Sequence, residues 1–120
     1  MNKKTLVLGA STNESRYSNL AIRRLRGQNI DFEAFGLRPG SVLDISIDTE
    51  RKEYDDLDTV TLYLNAKNQK GYYDYLLQLK PKRVIFNPGT ENPELVLLLK
   101  ENGIEFEIAC TLVLLSMNQY

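Results

Sequence analysis

Short apolar runs alternate along this chain with segments of helical periodicity, and this alternation limits the possible fold more than any other feature. Thr5–Leu8 and Arg83–Phe86 are largely apolar runs, which is typical of strands buried on both faces. Ala21, Ile22 and Leu25 recur at the spacing of one helix face. Strands that alternate with helices predict βαβ units with right-handed crossovers. We therefore expect an α/β fold: a small doubly wound, mainly parallel Rossmann-like sheet with helices on both faces.

Capping and turn residues place the other elements. Ser18 is a candidate N-cap of the first helix, and Asn65 of a second helix that Lys80-Pro81 ends. Asn92 followed by proline is a strong start for a third helix, and Thr111 is a candidate cap for a fourth. The predicted strands are 5–8, 32–35, 60–64, 83–86 and 104–109, with a short edge strand within 42–47.

Composition narrows the chemistry. The chain has 120 residues, 42% of them hydrophobic, which predicts one globular domain spanning 1–120. Fifteen Lys and Arg against 16 Asp and Glu leave a net charge of −1, so there is no bulk attraction to nucleic acid or anionic membranes. The sequence contains no histidine, which excludes an imidazole base and a histidine-ligated metal. Because Cys110 is the single cysteine, an intramolecular disulfide is excluded as well.

The start of the chain bears on localisation. Met1-Asn2-Lys3-Lys4 leads directly into a strand-like segment, without the apolar region of a signal peptide. The longest apolar run near the end, 112–115, is far shorter than the roughly 20 residues that span a bilayer. We therefore expect a cytoplasmic protein with no membrane partner.

The loop at 9–18 is the first candidate binding segment, because ligands of doubly wound sheets bind beyond the carboxyl ends of the strands. Hydroxyls of Ser11, Thr12 and Ser18, the guanidinium of Arg16 and the amides of a helix start could all contact a pyrophosphate. Neither GxGxxG nor GxxxxGK[ST] is present, since Gly9 is the loop's one glycine. The alternative is a well-capped turn with no ligand.

The second candidate segment, 36–40 with 64–65, discriminates among nucleotides. NAD sites place an acid at the end of the second strand, whereas this chain has Gly36-Leu37-Arg38. A cation there suits a ribose phosphate, either the 2′-phosphate of NADP or the 3′-phosphate of coenzyme A. An ordinary exposed surface arginine is the alternative.

The third candidate segment is Asn87–Thr90, which ends a buried strand before a helix. It is either a plain β–α turn or a site where the amide of Asn87 recognises an extended ligand arm. Cys110 lies near the start of the last helix, and without a histidine to activate it we expect a core residue or a pocket wall rather than a nucleophile.

Four ordered motifs resemble those of the stand-alone CoA-binding domain family. They are VLGASTN at 7–13, RYSN at 16–19, FNPGTEN at 86–92 and EIACT at 107–111. Members of this family are small bacterial Rossmann-like proteins, similar to the N-terminal nucleotide-binding domain of succinyl-CoA synthetase α-subunits. The similarity covers nearly the whole chain.

The resemblance implies a path for the ligand along the sheet edge. The first loop would hold the pyrophosphate, the second segment would flank the adenosine and its 3′-phosphate, and the third would face pantetheine. Because Cys110 follows the last strand, we also expect it to line the pantetheine end. The residues expected to bind the cofactor are Gly9, Ala10, Ser11, Thr12, Asn13, Arg16, Tyr17, Ser18, Gly36, Leu37, Arg38, Leu64, Asn65, Asn87, Pro88, Gly89 and Cys110.

The function that this resemblance implies is non-catalytic binding of coenzyme A or a short acyl-CoA. Ligase chemistry does not follow, because the chain has no histidine to phosphorylate. The main alternative is an NADP-linked oxidoreductase or a redox-sensing nucleotide-binding protein. A plain interaction subunit that keeps the fold without the ligand is a third hypothesis. The expected partner is a small-molecule nucleotide cofactor, and no protein partner is indicated.

Overall fold

A seven-stranded sheet forms the centre of the structure, a computed structural model that describes residues 4–120. The strands run in the spatial order β3-β4-β2-β1-β5-β6-β7, and the β3–β4 pair is antiparallel while the other pairs are parallel. They are β1 (Thr5–Leu8), β2 (Phe32–Phe35), β3 (Gly40–Val42), β4 (Ile45–Asp48), β5 (Thr59–Leu62), β6 (Arg83–Phe86) and β7 (Glu105–Ile108).

The order of the parallel strands is that of a doubly wound sheet. The chain winds outward from β1 through β2 to β4, then returns to the other side of β1 and winds outward through β5, β6 and β7. The direction of winding therefore reverses between β1 and β5. This confirms the predicted α/β, mainly parallel Rossmann-like fold.

Helices cover both faces of the sheet. They are α1 (Tyr17–Gly27), α2 (Ala66–Gln69), α3 (Tyr73–Leu79), α4 (Pro93–Glu101) and α5 (Thr111–Ser116), with a 3₁₀ turn at Lys70–Tyr72. Because side chains alternate along a strand, Val7 packs with Ile22 and Leu115 under α1 and α5, whereas Leu6 and Leu8 face the α3–α4 layer. This alternation buries β1 completely on both faces.

Two predicted elements have a different form in the structure. The segment 42–47 is a hairpin, with β3 at the sheet edge and β4 inside it next to β2, and Leu43 adopts a left-handed conformation at the turn (φ 56°). The helix predicted from Asn65 to Leu79 is interrupted by the 3₁₀ turn around Gly71. Glycine weakens a helix interior, which is consistent with the break.

Two of the four predicted N-caps are present in the structure, and two are not. Asn65 and Asn92 accept hydrogen bonds from the amides of Asn68 and Leu95, as expected of N-caps. The prediction that Ser18 is an N-cap was wrong, because α1 begins earlier, after Arg16, and Ser18 is buried in its first turn. Thr111 was also wrong, because α5 begins after Cys110 and Thr111 is its buried first residue.

None of the helices within residues 4–120 has the length and apolar character needed to cross a membrane. The expectation about a signal sequence rests partly on Met1, Asn2 and Lys3, which lie outside the described residues.

Candidate functional site

The carboxyl ends of β1, β2 and β5 meet where the winding direction reverses. The amides of Gly9 and Ala10 both donate to the carbonyl of Phe35, at 2.8 Å each, and the amide of Tyr63 donates to the carbonyl of Leu8 at 2.8 Å. The backbone of the first loop is thus bonded to one neighbouring strand end and lies against the other. The structure therefore brings the first two predicted binding segments together at one edge.

Two glycines allow these segments to approach each other. Gly9 has a left-handed φ of 102°, and a Cβ there would lie 3.0 Å from the carbonyl carbon of Tyr63. A Cβ on Gly36 would lie 2.3 Å from the carbonyl oxygen of Ala10. The resemblance implies that Gly9 binds the cofactor, but the backbone of Tyr63, which follows β5, occupies the space where a Gly9 side chain would lie. Gly9 is required by the fold itself.

Hydrogen bonds within the first loop hold its shape. The hydroxyl of Ser11 accepts from the amide of Asn13 (3.1 Å), whose side-chain oxygen accepts from the amide and the hydroxyl of Ser15 (3.0 and 2.7 Å). The carbonyl of Ser11 also accepts from the buried amide side chain of Asn19 (3.0 Å). The loop is therefore ordered by its own side chains before any ligand arrives.

The start of α1 suits an anion. No side chain caps its first turn, and no acidic residue lies in that turn. Glu14 in the preceding loop pairs with Arg23 at 3.4 Å, so its charge is partly compensated. Arg16 is exposed and makes no ion pair or side-chain hydrogen bond among residues 4–120, and Tyr17 next to it is 72% exposed. A free guanidinium therefore lies beside helix amides without side-chain partners, an arrangement that favours phosphate.

The loop 36–40, part of the second candidate segment, packs against the loop 9–18. A Cβ on Gly40 would lie 2.6 Å from the methyl carbon of Thr12, so the loop 36–40 lies against the loop 9–18. Leu37 at its tip is 70% exposed, and Arg38 is exposed with no ion pair within the described part of the chain. This places a second uncompensated cation at the same edge.

The segment 64–65 is held in place by a buried glutamine that the sequence pattern did not indicate. The side-chain nitrogen of Gln69, a fully buried residue, donates to the carbonyls of Leu64 and Thr90 at 2.8 Å each. Its side-chain oxygen accepts from Asn92 at 2.9 Å. Gln69 thus links the second and third binding segments. Its position in a short polar helix gave no sequence signal of burial.

The side chain of Asn87 is used inside the protein. It is buried, its nitrogen donates to the Thr61 hydroxyl (2.6 Å) and the Leu62 carbonyl (2.8 Å), and its oxygen accepts from the Thr111 amide (2.8 Å). Both amide hydrogens are therefore engaged, and this side chain positions the ends of β5, β6 and α5 rather than recognising a ligand arm. The adjacent Pro88 and Gly89 are exposed.

Tyr63 lies beside the first loop and close to Cys110. Its backbone lies beside Gly9, and its hydroxyl is buried close to the half-buried Cys110 and the hydroxyls of Thr61 and Thr111. Burial raises the pKa of Tyr63 to about 12. Within residues 4–120 the hydroxyl has no hydrogen-bond partner. In the sequence, Tyr63 lies within the predicted strand 60–64, and nothing in the pattern indicated a buried hydroxyl without a partner.

Replacing Tyr63 with phenylalanine should leave the free energy of unfolding unchanged or raise it by up to about 1 kcal/mol, because a buried hydroxyl without a partner stabilises nothing. Tyr73→Phe is the matched control, since the Tyr73 hydroxyl accepts from the Asn92 side chain at 2.8 Å. That control should lose about 1 kcal/mol. Urea unfolding of both variants measures this, and a larger loss in Tyr63→Phe would show that the hydroxyl is bonded in solution.

Two surface depressions lie away from the three expected cofactor-binding segments. One of about 320 Å³ lies beside Arg83 and β7. Another of about 360 Å³ lies at the amino ends of β2 and β4, between Arg26 and Asp44. Neither is lined by an expected cofactor-binding residue.

The strand order and the loops at the winding reversal define the Rossmann-like class of nucleotide-binding folds. Residues 3–116 match the family described as "CoA binding domain". The chain therefore belongs to the CoA-binding domain family, as its motifs predicted.

Solved structures support the fold. A crystal structure titled as that of an uncharacterized protein has 52% sequence identity and a TM-score of 0.97, and covers 100% of this chain and 99% of that one. A hypothetical protein from Pyrococcus horikoshii OT3 has 23% identity and a TM-score of 0.82, covering 93% and 80%. A conserved hypothetical protein from Pyrococcus furiosus has 21% identity and a TM-score of 0.76, covering 92% and 93%. Among curated proteins no match was found.

Proposed function

We propose that this protein binds coenzyme A, or a short acyl-CoA, across the carboxyl edge of its sheet without transforming it. The observation that carries the proposal is that two loops in contact at this edge, 9–18 and 36–40, each carry an exposed arginine without an ion pair among residues 4–120. These are Arg16, at the uncapped start of α1, and Arg38. Family membership supports a CoA-type ligand.

The residues at the edge fit the phosphate groups of such a ligand. The pyrophosphate would lie over the first turn of α1, where helix amides and Arg16 supply donors. Arg38, on the loop that lies against Thr12, would reach the ribose phosphate. The exposed backbone around Pro88 and Gly89 would face pantetheine, and Cys110 would line its far end.

A binding role without catalysis is supported by the protonation chemistry at the edge. Burial raises the pKa of Tyr63 to about 12, so this phenol is a poor base near neutral pH. The buried amides of Gln69 and Asn87 are engaged in bonds that hold the loops and give the site a fixed shape.

One specific observation favours a second candidate, an NADP-linked oxidoreductase or redox-sensing protein. Arg38 follows β2, where a cation can bind the 2′-phosphate of NADP as well as the 3′-phosphate of coenzyme A. Both candidates share a ribose phosphate, and the ligands must be compared directly.

Coenzyme A should raise the melting temperature of the protein more than dephospho-CoA does, and NAD should have little effect. A charge-assisted contact to phosphate is worth roughly 1.5–3 kcal/mol, which corresponds to about tenfold to a hundredfold in affinity. Arg38→Gln should reduce this preference. Thermal shift and isothermal titration calorimetry measure both effects.

Two results would redirect the assignment. Equal affinity for coenzyme A and dephospho-CoA would remove the role of Arg38, and selective binding of NADP would favour the oxidoreductase. The mass of any small molecule released when the purified protein is denatured gives an independent identification of the ligand.

A further inference from the structure

A third arginine, Arg51, lies between the end of β4 and the helical segment that follows Asn65. It follows β4, whose last residue, Asp48, accepts a hydrogen bond from the amide of Gly36 (2.9 Å). Three residues of chain reach about 10 Å at most, so Arg51 stays close to the loop that begins at Gly36. On its other side, its Nη2 lies 3.8 Å from the position that a Cβ on Gly71 would take. Gly71 belongs to the segment that follows Asn65.

Aromatic rings hold the Arg51 side chain in place. Its guanidinium carbon lies 4.3 Å from the centre of the Tyr72 ring and 5.8 Å from that of Tyr75. The Tyr72 ring in turn packs edge-on against Phe35, the last residue of β2, with ring centres 5.8 Å apart. A guanidinium that lies over an aromatic face keeps N–H donors available for a further partner. Because Phe35 ends β2, these rings place the exposed Arg51 guanidinium close to the carboxyl end of that strand.

Arg51 forms no ion pair with an acidic side chain among the described residues. The nearby carboxylate of Asp48 is used by Lys52 (3.2 Å) and by the hydroxyl of Tyr54 (2.7 Å). Within residues 4–120, no carboxylate lies within ion-pair distance of Arg51, and its side chain is exposed. An oriented guanidinium without an acidic partner is suited to bidentate binding of a phosphate.

We propose that Arg51, stacked on Tyr72, is a specificity-determining residue that binds the terminal ribose phosphate of the nucleotide, the 3′-phosphate of coenzyme A. This inference rests on the proposed function and adds a residue that neither the loop pattern nor the family motifs indicated. Arg38 lies on the loop that leans toward Thr12 and the first loop, whereas Arg51 lies on the side of Tyr72 and α3. The two arginines thus approach the adenosine end from different sides.

The test compares affinities for coenzyme A and dephospho-CoA, measured by calorimetry on the full chain. Arg51→Gln should weaken coenzyme A binding about tenfold or more and change dephospho-CoA binding less than about twofold, because the lost partner is the phosphate. Arg51→Lys keeps the charge without the planar fork and should fall between wild type and Arg51→Gln. Arg24→Gln, at an exposed position in the last turn of α1, is the matched charge control and should behave as wild type.

The outcomes separate this inference from the proposed function. If wild type does not bind coenzyme A, the proposed function fails and the inference fails with it. If wild type prefers coenzyme A and Arg51→Gln keeps that preference, only the inference is overturned. An equal loss for both ligands would also overturn it, because it would indicate adenine stacking or a structural role. Melting temperatures within a few degrees of wild type confirm that the variants are folded.

Discussion

Replacing Gly9 with valine should destabilise the whole protein by about 3–5 kcal/mol, since two costs add. A left-handed conformation with φ of 102° strains any residue that has a Cβ. The added Cβ would also lie 3.0 Å from the carbonyl carbon of Tyr63, and this backbone is held by the bond from its amide to Leu8. Urea unfolding followed by far-UV circular dichroism measures the loss.

Gly89→Ala is the matched control for the backbone strain. Gly89 also has a left-handed φ, 89°, but nothing lies within 4 Å of the position that its Cβ would take. This variant should lose only about 1–2 kcal/mol. Similar stabilities of Gly9→Val and Gly89→Ala would contradict the close contact between the first loop and Tyr63. Loss of ligand binding in Gly9→Val would then report the site and not the fold.

The substitution of Asn87 with aspartate should have an effect of similar size, about 3–5 kcal/mol at neutral pH, although the side-chain volume hardly changes. The nitrogen that donates to Thr61 and to the Leu62 carbonyl at 2.8 Å becomes an oxygen that faces the same carbonyl. A buried carboxylate without these donor bonds is strongly disfavoured. The ends of β5, β6 and α5 should therefore loosen together.

The loss in Asn87→Asp should depend on pH in a defined direction. Burial raises the pKa of the new carboxyl in the folded state above its unfolded value of about 3.9. The folded state then binds the proton more tightly, so the stability deficit of the variant relative to wild type is smallest below about pH 4 and grows as the pH rises toward the folded-state pKa. Wild type, with a neutral amide at this position, lacks this contribution.

Asn65→Asp is the control for the same chemical change at a neighbouring strand end. Asn65 is exposed, and its side-chain oxygen accepts from the Asn68 amide at 2.9 Å. Aspartate caps a helix as well as asparagine does, so this variant should stay within about 0.5 kcal/mol of wild type. If both aspartate variants are equally stable, the buried hydrogen bonds of Asn87 contribute little to the fold.

These expectations guide the choice of variants for ligand measurements. Gly9 and Asn87 belong to the predicted binding set, but their side-chain positions are filled or used by the protein itself. Arg16, Arg38 and Arg51 are exposed and make no ion pair among the described residues. Replacing Arg16 or Arg38 therefore changes charge with little effect on packing, whereas replacing Arg51 also removes its contact with the Tyr72 ring. The arginines are therefore the informative positions for binding.

Local patterns were sufficient where a residue's role depends on its neighbours in the chain. The apolar run at 5–8 predicted a strand buried on both faces, and the structure shows it at the centre of the sheet. Asn92 and Pro93 predicted the start of α4, because a cap and a first-turn proline act on adjacent amides. The alternation of elements was enough to predict the parallel sheet, and the ordered motifs were enough to predict the family.

Tertiary structure decided what depends on residues far apart in the sequence. Whether Ser18 caps a helix or is buried in its first turn depends on packing against the sheet, and a local pattern does not contain that information. Gln69 is polar and lies in a short helix, yet it is fully buried because its three partners come from segments up to 23 residues away.

The same division applies to the candidate site. The alternation of strands and helices in the sequence was enough to predict that the binding segments follow strands of one parallel sheet and therefore share an edge. Which polar groups remain free at that edge depends on the folded structure, because Asn87 bonds to β5 and to the start of α5, whereas Arg16 and Arg38 are exposed. The position of Arg51 depends on the stacking of its side chain on Tyr72, a contact across 21 residues that no local pattern contains.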